Sequence, residues 1–189
     1  MRYSQTSIPG LWLIEPAVLR DERGHFLETF RREDFAMNIG ALDVVQENES
    51  RSRRGVLRGL HLQTGEHAQA KLIRCVEGEV LDVAVDLRHG SPTFGQHISM
   101  ILSSENHRQL FVPRGFAHGF LTLSEYATIQ YKVDNAYNAS SECSLRYDDP
   151  ALGINWQVEG TEDMPFVLSR KDLEGISFEL YKRQHLFRN

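Results

Sequence analysis

The feature that most constrains the fold is a period of two in the hydrophobic pattern, which persists from about residue 42 to residue 133. Short runs of alternating apolar and polar residues follow one another there, and glycine, proline and acidic turns separate them. Alternation of this kind predicts half-buried β-strands, as in 79–87, where Leu81 and Val83 share a face opposite Asp82. Many short strands at close spacing indicate an antiparallel sandwich or a small barrel.

Helical patterns are confined to short segments outside this run. Residues 31–40 are predicted to form a helix that ends at Gly40, and residues 169–182 are predicted to carry one or two helical turns. No repeat or linker divides the chain. We therefore expect one domain, residues 1–189, with a small cap at its C-terminal end.

Charge and composition exclude several classes of protein. The chain has 26 acidic and 21 basic residues and a net charge of −5, which gives no electrostatic basis for binding nucleic acid or an anionic membrane. No apolar run approaches the ~20 residues of a membrane span, and we expect no signal peptide. Cys75 and Cys143 lie far apart without metal-type spacing, so we expect both to be reduced in a cytoplasmic protein.

Three polar side chains are predicted to lie on apolar strand faces. By strand parity, Lys71, Tyr131 and His118 each share a face with aliphatic or aromatic neighbours. A single tyrosine or histidine in such a place is more often a structural residue, whereas a lysine there is rarer because an ammonium group is seldom buried unpaired. The three together favour a polar cavity inside a barrel.

The stretch 55–63 places a histidine and an arginine close together. Strict alternation would put Arg58 and His61 on opposite faces of a strand, but Gly59 between them is a predicted bulge that would bring both to one cavity. The alternative, in which Arg58 is a solvated surface residue, is equally compatible with the pattern.

Two short motifs bear on metal binding. Small barrels of the cupin type combine H-x-H with P-x-G-x-x-H, and this chain has the second motif at 113–118. The first reads His61-Leu62-Gln63, and an amide is a poor ligand for a transition metal. We therefore expect no metal, with His61 available for acid–base chemistry.

Several longer blocks of sequence occur in an order shared with one enzyme family. They include QENES (46–50), GVLRGLHLQ (55–63), PRGFAHGFLTLSE (113–125), YKVDNAY (131–137) and LSRKD (168–172). With these blocks the chain closely resembles the dTDP-4-dehydrorhamnose 3,5-epimerase family from about residue 10 to residue 172. The resemblance implies an all-β, cupin-like antiparallel jelly-roll barrel with a few short helices at its periphery and C-terminus. It also implies a cofactor-independent homodimer that exchanges its N-terminal strands, residues about 1–30.

The resemblance further assigns roles to individual residues. His61 matches the general base, Asp172 the carboxylate that orients it, Tyr131 the general acid, and Lys71 the cation that stabilises an enolate. Ten more residues match positions that bind the nucleotide sugar: Arg23, Phe26, Glu28, Gln46, Asn48, Arg58, His118, Tyr137, Glu142 and Lys171.

The implied reaction inverts C3 and C5 of dTDP-4-dehydro-6-deoxy-D-glucose and gives dTDP-4-dehydro-L-rhamnose. A base removes a proton next to the C4 ketone, a cation stabilises the charge on the ketone oxygen, and an acid returns a proton from the opposite side. Two alternatives remain open from the sequence: an epimerase that inverts one of these carbons only, and a sugar-binding barrel without catalysis.

Overall fold

The structure, a computed structural model, describes residues 1–185, which form two antiparallel sheets packed face to face. The larger sheet has the strand order β1-β2-β10-β7-β12-β5. Its strands are β1 (Arg2–Gln5), β2 (Trp12–Glu15), β5 (Gln46–Arg53), β7 (Lys71–Glu77), β10 (Gln109–Val112) and β12 (Tyr126–Val133).

The smaller sheet has the strand order β13-β6-β11-β8-β9. Its strands are β6 (Leu57–Gln63), β8 (Glu79–Asp86), β9 (His97–Ser103), β11 (Phe116–Thr122) and β13 (Glu142–Ser144). A separate hairpin consists of β3 (Val18–Asp21) and β4 (Gly24–Leu27). The helices are α1 (Arg32–Asn38), α2 (Arg170–Leu173) and α3 (Phe178–His185), and 3₁₀ turns cover Gly65–His67 and Ala139–Ser141. This architecture confirms the predicted all-β, antiparallel jelly-roll class with short helices at the periphery and C-terminus.

The main core lies between the two sheets. Ile73 and Ile129 of the larger sheet pack there with Ala84, Phe116 and Phe120 of the smaller one, and all are buried. Residues that alternate with these point away from the interior, as the pleat of a strand requires. Strand parity therefore decides which side chains can reach the space between the sheets.

The prediction that 79–87 forms a half-buried strand was wrong. Leu81, Val83 and Val85 point to the outer face of the smaller sheet, yet they are buried there against Trp156 and Tyr181 of the C-terminal segment. Both faces of β8 are thus covered. Tyr181 lies on α3, within the stretch predicted to carry helical turns, whereas the part of the covering segment that contains Trp156 has little regular structure and no hydrophobic period.

The outer face of the larger sheet is partly covered by α1. Phe35 of this helix packs on Phe111, and Leu42 joins the same cluster. The predicted helix at 31–40 is confirmed, but the strand expected from residue 42 begins only at Gln46, because Leu42 leaves the sheet to pack beneath the helix.

The predicted bulge at Gly59 is confirmed by the pairing of β6 with β11. His118 lies opposite His61 and Phe120 lies opposite Arg58, so β6 has one extra residue in this interval. Gly59 has φ +124°, and a Cβ atom there would lie 2.4 Å from the Cα of Gly119. A residue with a side chain would force the two strands apart at this point.

Among residues 1–185, no helix is both long and apolar enough to cross a membrane. Cys75 and Cys143 are both free thiols, as predicted. Burial raises the pKa of each thiol to about 11, which suits packing residues rather than reactive ones.

Candidate active site

A polar cavity of about 270 Å³ opens between the two sheets. The larger sheet supplies Lys71 and Tyr131, and the smaller sheet supplies His61 and Glu142. The complete lining is Gln46, Asn48, His61, Leu62, Gln63, Gln69, Lys71, Tyr131, Tyr137 and Glu142. Seven of the fourteen predicted site residues therefore line one cavity.

Asp172 lies directly behind His61 and fixes its ring. Asp172 Oδ1 is 2.7 Å from Nε2 of His61 and also accepts the backbone N–H of Gly59 at 3.1 Å. Oδ2 accepts the hydroxyl of Ser169 at 2.6 Å, as part of the capping box that begins α2. Burial alone would raise the pKa of this carboxyl, but the hydrogen bonds from His61, Ser169 and Gly59 outweigh it and hold the pKa well below its ordinary value.

This pairing determines which nitrogen of His61 can act as a base. An ionised carboxylate only accepts hydrogen bonds, so Nε2 of His61 must carry the hydrogen that faces Asp172. In the neutral ring the lone pair then belongs to Nδ1. His61 is thus fixed in the tautomer that presents a basic nitrogen away from Asp172, in a ring that lines the cavity.

Tyr131 lines the cavity from the other sheet. It lies on β12 opposite Asn48 of β5, on the strand face that also carries buried Ile129. Burial, partly offset by the positive charge of Arg58, raises the pKa of the Tyr131 hydroxyl. The hydroxyl therefore keeps its proton at neutral pH and can donate it.

Lys71 begins β7, next to Tyr131. Its Nζ lies 6.0 Å from the centroid of the Tyr131 ring. Burial lowers the pKa of Lys71 to about 8, against the attraction of Asp82 and Glu142. At neutral pH the side chain is therefore largely an ammonium ion that faces the cavity.

A chain of polar contacts forms the rim of the cavity. Tyr137 donates its hydroxyl to Glu142 Oε2 at 3.0 Å, and Lys171 of α2 forms an ion pair with Glu142 Oε1. The Tyr137 backbone N–H donates to Gln46 Oε1 at 3.2 Å, and Gln46 donates to Asn48 at 2.7 Å. The rim thus holds an exposed tyrosine ring beside charged and amide groups, as recognition of a polar aromatic ligand requires.

Arg58 and His118 lie close to the cavity without lining it. Arg58 is exposed, its Nε donates to Ser52 Oγ at 3.0 Å, and its charge acts on Tyr131. His118 is buried between the sheets opposite His61, and its Nε2 is 2.8 Å from Oδ2 of Asp82. The bulge has therefore brought Arg58 within electrostatic reach of the cavity while its side chain stays solvated.

Three predicted binding residues lie away from this cavity. Arg23 and Phe26 belong to the β3–β4 hairpin, where Arg23 pairs with Asp21 and the Phe26 ring is 70% exposed. Glu28 follows this hairpin and pairs with Arg31. Within one chain, the fold does not bring these three side chains together with His61.

Three polar contributors to the site were not predicted from the sequence. Ser169 supports Asp172, and the S-x-x-D spacing of a capping box was the signal that could have revealed it. Gln63 and Gln69 line the cavity, each tied to the loop after β12: Gln63 accepts from the N–H of Asn138, and Gln69 donates to the carbonyl of Asn135. Neutral amides at the end of a strand or in a loop carry no pattern that distinguishes them from surface residues.

Within the described part of the chain, no three histidine, cysteine or acidic side chains lie together in a group that could hold a metal ion. The amide oxygen of Gln63, which stands at the second histidine position of the H-x-H motif, already accepts the backbone N–H of Asn138. The absence of a metal and of any other cofactor from the reaction remains a prediction.

Fold and cavity together define a β-barrel protein equipped for acid–base chemistry, and comparison with known proteins specifies its kind. The family described as dTDP-4-dehydrorhamnose 3,5-epimerase matches residues 5–179. Because this match spans most of its length, the chain belongs to the dTDP-4-dehydrorhamnose 3,5-epimerase family.

Individual relatives agree with this assignment. The dTDP-4-dehydrorhamnose 3,5-epimerase of Salmonella typhimurium is 54% identical over 153 residues, which cover 80% of this chain and 84% of that protein. The crystal structure of the dTDP-6-deoxy-D-glucose-3,5-epimerase of Legionella pneumophila Philadelphia 1, in complex with dTDP-4-keto-L-rhamnose, has a TM-score of 0.91 at 44% identity. That match covers 97% of this chain and 95% of the Legionella chain.

A single-carbon epimerase has a similar structure. The 3'-monoepimerase of Streptomyces bikiniensis, solved with dTDP-quinovose, has a TM-score of 0.89 at 36% identity. The match covers 96% of this chain and 90% of the Streptomyces chain. Fold likeness alone therefore does not separate inversion of one carbon from inversion of two.

The contact between Asp172 and His61 gives a first prediction. Replacing Asp172 by Asn removes the charge that fixes the His61 tautomer, so we expect the turnover number to fall by roughly 10²–10⁴-fold. In ¹⁵N NMR spectra, His61 should change from one dominant tautomer to a mixture. Asp148→Asn is the control, because Asp148 forms an exposed ion pair with Arg146. Unchanged turnover and an unchanged His61 spectrum in Asp172→Asn would contradict the assignment.

Proposed function

We propose that the protein is an isomerase that inverts C3 and C5 of dTDP-4-dehydro-6-deoxy-D-glucose and yields dTDP-4-dehydro-L-rhamnose. The observation that carries this proposal is the arrangement of His61 and Tyr131, which line one cavity from two facing sheets. A sugar ring held between the sheets would have a base on one side and an acid on the other.

The first step is removal of a proton from a carbon next to the C4 ketone. His61 suits this step because its Nε2 hydrogen is held by Asp172, which leaves Nδ1 free to accept a proton. The imidazolium that forms is stabilised by the ionised carboxylate behind it.

Removal of this proton moves negative charge to the ketone oxygen. Lys71 lines the same cavity and is largely protonated at neutral pH, so it can stabilise the enolate that forms. Its lowered pKa also places it close enough to neutrality to pass a proton to that oxygen.

Inversion requires that a proton return from the other side of the ring. The Tyr131 hydroxyl keeps its proton because burial raises its pKa, and it belongs to the sheet opposite His61. C3 and C5 both flank the C4 ketone, so the same base, cation and acid can serve both carbons in turn.

The exposed Tyr137 ring and the basic side chains near the cavity suit the nucleotide. An aromatic ring can stack on a thymine base, and arginine can pair with a diphosphate. Tyr137 is 54% exposed at the rim, and the exposed guanidinium of Arg58 lies within electrostatic reach of Tyr131. Of the remaining predicted contacts, Gln46, Asn48, Glu142 and Lys171 surround the same rim.

Inversion of a single carbon is the second candidate. It is favoured by one observation, the likeness to the Streptomyces bikiniensis 3'-monoepimerase. The two candidates share the base, the acid and the cation, and they differ in which carbon is presented to His61.

The placement of Arg23, Phe26 and Glu28 supports a homodimer that exchanges N-terminal strands. The β3–β4 hairpin has exposed Leu19 and Phe26 side chains and lies away from the cavity of its own chain. In an exchanged dimer these residues would serve the cavity of the second subunit. A cytoplasmic location accords with free thiols at Cys75 and Cys143.

Mixed dimers test this exchange. If Arg23 acts in the second subunit's site, dimers of Arg23→Ala and His61→Asn subunits contain one intact site each. Statistical mixing of the two inactive variants should then restore about one quarter of wild-type activity. Native mass spectrometry shows whether mixed dimers have formed. If they have and no activity is recovered, Arg23 acts in the site of its own chain or lies outside both sites.

Isotope labelling tests the reaction itself. In deuterium oxide, the enzyme and dTDP-4-dehydro-6-deoxy-D-glucose should give a product labelled at both C3 and C5, measured by NMR. His61→Ala should reduce this labelling by at least about 10²-fold, because the base is lost. His89→Ala, a change at an exposed histidine of a loop, is the matched control. Label at one carbon would favour the single-carbon epimerase, and no label would favour a binding protein.

A further inference from the structure

A second carboxylate, Asp82, is fully buried between the sheets. It lies on β8, on the face that carries Val80 and Ala84, and these apolar neighbours are completely buried with it. It does not line the cavity. A carboxylate in such surroundings is costly unless partners or nearby opposite charge compensate it.

Hydrogen bonds satisfy only half of this carboxylate. Oδ2 of Asp82 is 2.8 Å from Nε2 of His118, while Oδ1 has no hydrogen-bond partner among the described residues. Asp86, four residues along the same strand, is just as buried but accepts hydrogen bonds from Arg88, Ser91 and Thr93. The two carboxylates differ in that Asp86 has an arginine partner, whereas the partner of Asp82 is a histidine that reaches one oxygen only.

The cationic side chain on which the charge of Asp82 acts is Lys71. Both side chains project between the sheets, Lys71 from β7 and Asp82 from β8. In the described part of the chain Lys71 forms no ion pair, although burial disfavours its charge. Asp82 is the strongest of the charges that oppose this effect.

The other charged groups around Lys71 contribute less. Glu142 of β13 attracts the ammonium, but it is already paired with Lys171 of α2, which repels Lys71. Tyr131 of β12 is neutral at physiological pH, and His61 of β6 has Asp172 as its own counter-charge. Asp82 is therefore the acidic group acting on Lys71 that has no lysine or arginine partner of its own among the described residues.

We propose that Asp82, held in place by His118, is a positioning residue that keeps Lys71 in its charged form from behind the cavity. Asp82 acts through Lys71 and does not touch the sugar. The N–H of His118 engages Oδ2 and leaves the charge of the other oxygen uncompensated. His118 lies opposite His61 on the neighbouring strand, so the Asp82–His118 pair belongs to the same sheet as the base. The proposal rests on the proposed function, in which the Lys71 ammonium stabilises the enolate.

The inference predicts what loss of the Asp82 charge does to Lys71. Asp82→Asn keeps the shape of the side chain and removes the attraction, so the pKa of Lys71 should fall by roughly one unit from about 8. At pH 7 the charged fraction would then decrease from about nine-tenths to about one-half. The basic limb of the kcat profile should move to lower pH by the same interval, while KM changes less.

Competitive acylation measures this effect without turnover. Acetic anhydride modifies only the neutral amine, so the extent of Lys71 acetylation against pH, read by peptide mass spectrometry, gives its titration midpoint. Lys132, paired with Glu47 on the outer face of the larger sheet, is an internal reference. Asp86→Asn is the matched control, because it removes a buried carboxylate from the same strand and should leave the Lys71 midpoint unchanged. Asp82→Ser is a second variant without the charge. Its side chain is smaller, and its hydroxyl can still form a hydrogen bond with His118.

Each outcome has a defined meaning. A lower Lys71 midpoint in Asp82→Asn or Asp82→Ser, with Asp86→Asn unchanged, supports the inference. An unchanged midpoint in a folded Asp82 variant overturns it. If neither Asp82 variant folds while Asp86→Asn does, Asp82 serves the stability of the core and the inference is also overturned. If the Asp82 variants lower the midpoint but the wild-type enzyme labels neither C3 nor C5, the proposed function is overturned and the charge coupling still stands.

Discussion

The site depends most on the buried carboxylate of Asp172. It joins two parts of the chain that are far apart in sequence: the start of α2, through Ser169, and strand β6, through the N–H of Gly59 and the ring of His61. The same hydrogen bonds that begin a helix and secure a bulge also keep the carboxylate ionised and select the His61 tautomer. The Asp172 carboxylate therefore has a structural role and a chemical role at once, because both depend on the same hydrogen bonds.

The two-sheet arrangement explains how a small barrel can perform an inversion. A base and an acid must approach one carbon from opposite sides, and facing sheets supply two surfaces across one cavity. His61 and Tyr131 occupy these surfaces, and Lys71 lies beside Tyr131 on the neighbouring strand. Apolar packing below the cavity lowers the local dielectric constant and so strengthens the electrostatic interaction between charged side chains there. A carboxylate as remote from solvent as Asp82 can therefore influence the protonation of Lys71.

Much of this arrangement could be predicted from the sequence because strand parity is a local property. The period of two placed Lys71, Tyr131 and His118 on inward faces, and a single glycine marked the bulge. Which strands lie side by side is not local, so the pairing of His118 with Asp82 was not foreseen. For the same reason the sequence did not reveal that the C-terminal segment, with Trp156 and the short helix α3, buries the outer face of β8.

The central claim is that His61 removes the proton and Tyr131 returns one from the other side. Tyr131→Phe and His61→Asn, each incubated with the 4-keto sugar nucleotide in deuterium oxide, separate these two events. The account predicts that Tyr131→Phe still exchanges the C3 or C5 hydrogen for deuterium with retention while inverted product is lost, and that His61→Asn does neither. Inverted product from Tyr131→Phe at the wild-type rate, or continued exchange in His61→Asn, would contradict it.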